Sequence, residues 1–175
     1  MAAFLRRGIA GRFAWLAVAA IAVALLTAPC AAATYHPAKL KGARAVAPGS
    51  APPQVDAIIH AANQIRHKPY RWGGGHREWD SNAYDCSGSV SYVLHGAGLL
   101  DYPLVSGELS NWGNPGFNKW VTIYANKDHV YMVIAGLRWD TSYITDGDRT
   151  GPGWSELMRS SKGFHVRHPA GIHQW

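Results

Sequence analysis

Asp85-Cys86-Ser87-Gly88, followed at helical spacing by Val90, Val93, Leu94 and Ala97, is the stretch on which the reading of this chain turns. A polar residue stands directly before a cysteine, and the apolar positions after it recur every three or four residues. The thiol therefore sits where a loop becomes a helix. The first N–H groups of a helix have no intrahelical partner and carry partial positive charge. A thiol in that position is favoured as thiolate, the nucleophilic form. A free cysteine is otherwise most often a small buried hydrophobe, so compartment and partners decide between chemistry and packing.

The N-terminus speaks to compartment. Arg6, Arg7 and Arg12 precede an uncharged run over residues 13–26, and Ala31-Ala32-Ala33 follows. This is the pattern of a secretory signal peptide over residues 1–33, cut after Ala33. The run is short of the roughly 20 residues that span a bilayer. Cleavage would remove Cys30 and leave Cys86 as the one cysteine of a secreted, periplasmic or wall-associated protein. A lone thiol in that setting cannot staple its own fold and is flagged as reactive. The formal charge of +6 contains the three signal arginines; without them 14 basic residues face 11 acidic ones, a net +3. That mild excess suits an anionic surface such as a cell wall, and no basic run marks a nucleic-acid binder.

Residues 34–53 are rich in Ala, Pro and Lys/Arg without apolar periodicity, and are expected to be a linker or disordered arm. Residues 54–175 suffice for one small domain. Val55, Ile58, Ile59, Ala62 and Ile65 outline an amphipathic first helix after Pro52-Pro53. The second helix spans 87–95 and closes at Gly96 and Gly98. Residues 101–118 and 145–153 are expected as loops. Residues 120–124, 128–135, 137–141 and 164–167 are expected as strands. Helices first and an antiparallel sheet afterwards make an α+β fold.

A cysteine nucleophile needs a base and a group that orients the base. Strand alternation over residues 128–134 puts His129, Tyr131 and Val133 on one face. Asp140 is the natural orienter: a two-residue turn at Ala135-Gly136 makes His129 and Asp140 diagonal neighbours on consecutive strands. A carboxylate there would fix the histidine tautomer. His165, in a strand-like Phe164-His165-Val166, is the competing candidate. The remaining histidines read as solvated or loop residues. His165 and His168 have a plausible ligand spacing but no second ligand pair, so no metal site and no cofactor are expected.

Tyr70-Arg71-Trp72-Gly73-Gly74, then Tyr84-Asp85-Cys86-Ser87-Gly88, then Asp128-His129-Val130 resembles the NlpC-type family of papain-like cysteine peptidases over most of residues 54–141. The resemblance implies a papain-like NlpC-type fold and a peptidoglycan endopeptidase acting on stem-peptide amide bonds. It maps the nucleophile to Cys86, the proton-shuttling base to His129 and the orienting third residue to Asp140, where the family usually has His, Asn or Gln. It further implies that Tyr70 lies near the oxyanion or the substrate and that Asp85 and Ser87 line the substrate groove, and Tyr131, where the family often has Gly, implies a narrowed or reshaped cleft. Another papain-like amidase or acyltransferase, and a non-catalytic wall-binding protein on the same fold, stay open beside the endopeptidase. A monomer is the default.

Overall fold

Pro52 and Pro53 open helix α1 (Pro53–Ile65), where a missing N–H costs nothing because no intrahelical acceptor exists for it. Its buried face is Val55, Ile58, Ile59, Ala62 and Ile65, the stripe that the periodicity outlines. The computed structural model describes residues 35–142 and 150–172. The expected signal peptide and its cleavage site lie outside the described residues. Helix α2 (Cys86–Gly96) begins at the cysteine itself, one residue earlier than the sequence suggests, and buries Val90, Val93 and Leu94. A single turn, α3 (Ser106–Leu109), follows in the segment expected as loop.

The chain then builds an antiparallel sheet. In chain order its strands are β3 (Asn114–Pro115), β4 (Val121–Ala125), β5 (Val130–Ile134), β6 (Leu137–Ser142), β7 (Thr150–Ser155) and β8 (His165–His168). Their spatial order is β3-β8-β4-β5-β6-β7. The four expected strands are present as β4, β5, β6 and β8. Strand β7 corrects the expectation of a loop over 145–153 for its residues from 150 onward. Its Thr-Gly-Pro-Gly-Trp-Ser sequence is rich in strand breakers, yet it pairs along β6 through Trp154 opposite Trp139 and Gly153 opposite Asp140. Such pairing is tolerated at a sheet edge, which is where β7 lies.

The arm before α1 is a second correction. It carries a hairpin, β1 (Lys39–Lys41) with β2 (Arg44–Val46), rather than a free linker. Ala38 and Ala45 are buried in the core. The Ala38 N–H donates to the Ala135 carbonyl at 2.8 Å. Asn63 of α1 holds β2 from the other side. Its Oδ1 accepts from the Ala45 N–H at 3.0 Å and from Trp154 Nε1 at 3.1 Å, while its Nδ2 donates to the Ala45 carbonyl at 2.8 Å. One buried amide thus joins hairpin, helix and edge strand.

The apolar faces of α1 and α2 meet Val121, Ile123, Val130, Met132, Ile134, Leu137 and Trp139 in one core. Alternation then sends His129, Tyr131, Arg138 and Asp140 to the opposite parity of the sheet. Among the described residues no helix is long and apolar enough to cross a membrane.

Candidate active site

The position of Cys86 is built by its neighbour. Asp85 is the N-cap of α2, in extended conformation, and its Oδ1 accepts from the Gly88 N–H at 2.7 Å. Its Oδ2 accepts from the Gly73 N–H at 2.9 Å, and its own N–H donates to the Gly74 carbonyl at 3.2 Å. The Gly73-Gly74 turn is therefore laced to the helix start. Gly88 is required by that contact: a β-carbon there would stand 2.0 Å from the Gly74 carbonyl oxygen. Cys86 is held at the first helical position with 7% of its surface exposed.

His129 is placed by a tight turn between β4 and β5. Asn126 Oδ1 accepts from the N–H groups of Asp128 and His129, each at 2.9 Å, and the Asn126 N–H donates to the His129 carbonyl at 2.9 Å. The β5–β6 turn is the expected two-residue Ala135-Gly136, both in the left-handed region at φ 46° and 86°. The even turn makes Asp140 the cross-strand partner of Tyr131 and the diagonal neighbour of His129. His129 Nε2 lies 2.9 Å from Asp140 Oδ1. The Cys86 side chain acts on the same imidazole and, with Asp140, raises it, so Asp140 and Cys86 both bear on His129. His165, the competitor, is an exposed residue of β8 paired with Ala125; the carboxylate on His129 is that of Asp140.

Asp140 is 1% exposed and fully engaged. Its Oδ1 also accepts from the Ser142 N–H at 2.9 Å, across the irregularity that interrupts β6–β7 pairing between Asp140 and Ser142. Its Oδ2 faces Arg159 Nη1 at 3.1 Å and Arg138 Nε at 3.6 Å. Arg138 is entirely buried, and its Nη2 donates to the Ser142 carbonyl at 3.3 Å. Burial works to raise the Asp140 carboxyl, but the His129 bond, the Ser142 amide and Arg159 hold it below its ordinary value. For His129, burial works downward and is outweighed by the bonds to Asp140 and Cys86, which push the imidazole up to about 9. At neutral pH this histidine is therefore an imidazolium.

A cavity of about 280 Å³ opens at Cys86, lined also by Trp72, Gly73, His76, Asp85, Ser87, Val105, Ser106, Lys127 and Asp128. Asp85 and Ser87 line it, their polar atoms engaged with each other and with His76. His76 Nε2 is 3.1 Å from both Asp85 Oδ1 and Ser87 Oγ, and Ser87 Oγ donates to Asp85 Oδ1 at 3.1 Å. The Asp85 bond is the main cause of a raised His76 imidazole, which burial opposes. Tyr70 lies outside the cavity lining, partly exposed, on a bridge to Tyr84. Burial, followed by the charges of Cys86 and Asp85, raises its phenol. Tyr131 does not narrow the cavity: it is 2% exposed, stacked on Tyr124 at 4.8 Å and edge-on to Phe164 at 5.2 Å.

Sequence reasoning missed His76 and Arg159. In the sequence His76 reads as a loop histidine; its proximity to the Asp-Cys-Ser motif depends on the Gly73-Gly74 turn folding back. Arg159 reaches Asp140 from 19 residues away, and no local pattern announces that.

No family model and no curated protein matches the chain. Solved structures do. RipA, the resuscitation promoting factor interacting protein, in a form mutated at a histidine, is 21% identical with a TM-score of 0.50, covering 73% of this chain and 70% of its own. An NlpC/P60 family protein from Bacillus cereus is 21% identical (TM-score 0.49) over 66% of this chain, which spans only 40% of that protein. RipD from Mycobacterium tuberculosis, described as a non-catalytic NlpC/p60 domain protein adapted to peptidoglycan binding, is 18% identical (TM-score 0.49) over 66% of this chain and 96% of its own. The fold is α+β of the NlpC type.

Proposed function

We propose that this protein is a secreted cell-wall hydrolase that cleaves amide bonds in peptidoglycan stem peptides by thiol chemistry. The observation that carries the proposal is the 2.9 Å pair of His129 with the buried Asp140, an imidazole that Cys86 also raises, with Cys86 itself at the start of a helix and lining a cavity. The secretory N-terminus, the mild positive charge and the NlpC-type fold support the wall as its target. In this mechanism the Cys86 thiolate adds to the amide carbonyl carbon. The resulting oxyanion takes the Cys86 N–H, which as the first of α2 has no intrahelical acceptor. Imidazolium His129 gives its proton to the leaving amine as the C–N bond breaks, leaving an acyl-thioester. Neutral His129 then takes a proton from water, whose oxygen attacks the thioester carbon; the C–S bond breaks, the carboxylic acid leaves, and the Cys86 thiolate and imidazolium His129 are restored. Asp140 keeps the imidazole oriented throughout and does not itself exchange the proton.

The test is digestion of purified peptidoglycan with mass analysis of soluble fragments, beside Cys86→Ala and His129→Ala. New stem-peptide ends from the wild type, absent from both variants, support the reading and identify the bond. The double variant should be no worse than either single, because the groups act as a unit. Sedimentation of the protein with the wall but no fragments would instead indicate a binding protein, and transfer of the acyl group to an added amine an acyltransferase.

A further inference from the structure

We propose that Arg159 is a positioning residue for Asp140 and that it sets the pH range over which His129 stays protonated. The inference deepens the thiol mechanism above and rests on it for its chemical meaning, but the pairing can be measured without turnover. The two oxygens of Asp140 are divided: Oδ1 serves His129 and the Ser142 amide, and Oδ2 serves Arg159 and Arg138. A buried carboxylate with no cation on its far side would hold the imidazolium tightly. The proton would then be surrendered reluctantly to a leaving amine, since transfer is most efficient when the donor titrates near the working pH. Two guanidinium groups offset part of that charge.

Arg138 is locked inside the sheet with no exposed surface. Arg159 reaches in from the segment after β7, and its side chain is 27% exposed. Its guanidinium lies over the Tyr131 ring at 5.2 Å and the Phe164 ring at 5.5 Å. The same two rings flank His129, at 6.5 Å and 6.3 Å between centroids. A planar cation clamped by two aromatic faces while bonding a carboxylate is a task suited to arginine. The other groups around His129 leave this role to it. Cys86 is the reacting partner. Lys127 and Asp128 in the preceding turn pair with each other at 3.8 Å. Tyr131 is pushed up to about 12 and Tyr124 is also raised, both by burial first, so both stay neutral where His129 titrates.

The experiment is an NMR titration of the His129 imidazole in the full chain, assigned with His129→Ala, in wild type, R159Q, R159K and D140N. Removing the cation while Ser142 and Arg138 still hold the carboxylate should raise the His129 midpoint by about half a unit to one unit. R159K should restore it to within about 0.3 unit, and D140N should lower it by more than about one unit. An R159Q midpoint that is unchanged or lowered overturns the proposal; if R159Q does not fold, an R159K midpoint shifted as far as loss of the charge predicts does the same. Fragment release is scored on the same samples. A raised His129 midpoint without fragments keeps the pairing and removes the substrate reading. Fragments with an unmoved midpoint remove the pairing.

Discussion

At the scale of single residues, the pair His129–Asp140 ties stability to pH from both directions. His129 is raised to about 9 from an unfolded value of 6.5, so its contribution is fully present below about 6.5 and is lost as pH rises through 9. Asp140 is held below its unfolded value of 3.8, so its contribution is present above that value and fades as pH falls through the lower folded value. The urea midpoint should therefore be highest between about pH 4 and 6.5 and fall by pH 10, and Asp140→Asn should flatten the alkaline decline. A decline of equal size in that variant would assign it to other groups. Both residues were legible in the sequence because the inference needed only an even turn, and Ala135-Gly136 supplies it by placing both residues at positive φ. Arg138 and Arg159 were not legible: their partner is specified by the sheet and by chain return, not by spacing.

At the scale of elements, the start of α2 is where sequence and geometry agree most closely. The motif Asp-Cys-Ser-Gly is a cap, the proposed nucleophile, a residue lining the cavity and a position that tolerates no side chain. Asp85→Ala removes an N-cap acceptor and should cost about 1–2 kcal/mol. Gly88→Ala inserts a methyl against a backbone oxygen 2.0 Å from where it would lie, and should cost as much or more, about 2–3 kcal/mol. Denaturant unfolding checks both. A neutral Gly88→Ala would mean that the Gly73-Gly74 turn is free to retreat. The strands that went unread share a physical cause. The pieces Lys-Leu-Lys and Arg-Ala-Val are too short for periodicity to register, and Thr-Gly-Pro-Gly-Trp-Ser carries turn chemistry. Each is a strand because a partner is already in place, which is tertiary context overriding local preference.

At the scale of the molecule, Asn63 is the point where the hairpin, α1 and β7 are fastened together. Asn63→Ala would leave the Ala45 N–H and the Trp154 indole without their acceptor. Each unsatisfied buried donor costs about 1–3 kcal/mol, so a loss of about 2–4 kcal/mol is expected, with new protease cleavage in the 39–46 hairpin. Intact resistance there would show that Ala38 and Ala45 anchor the hairpin unaided. The hairpin also has a practical bearing on how the protein is prepared. A shortened expression clone beginning at α1 looks reasonable from the residue pattern, yet it would strip the strand pair from Asn63, uncover the turn at Ala135-Gly136, and unseat Tyr35, whose ring packs edge-on against Trp120 at 4.8 Å. Cloning boundaries and affinity tags belong upstream of Tyr35, and a truncated preparation that proves inactive would be reporting a missing brace and not a missing chemistry.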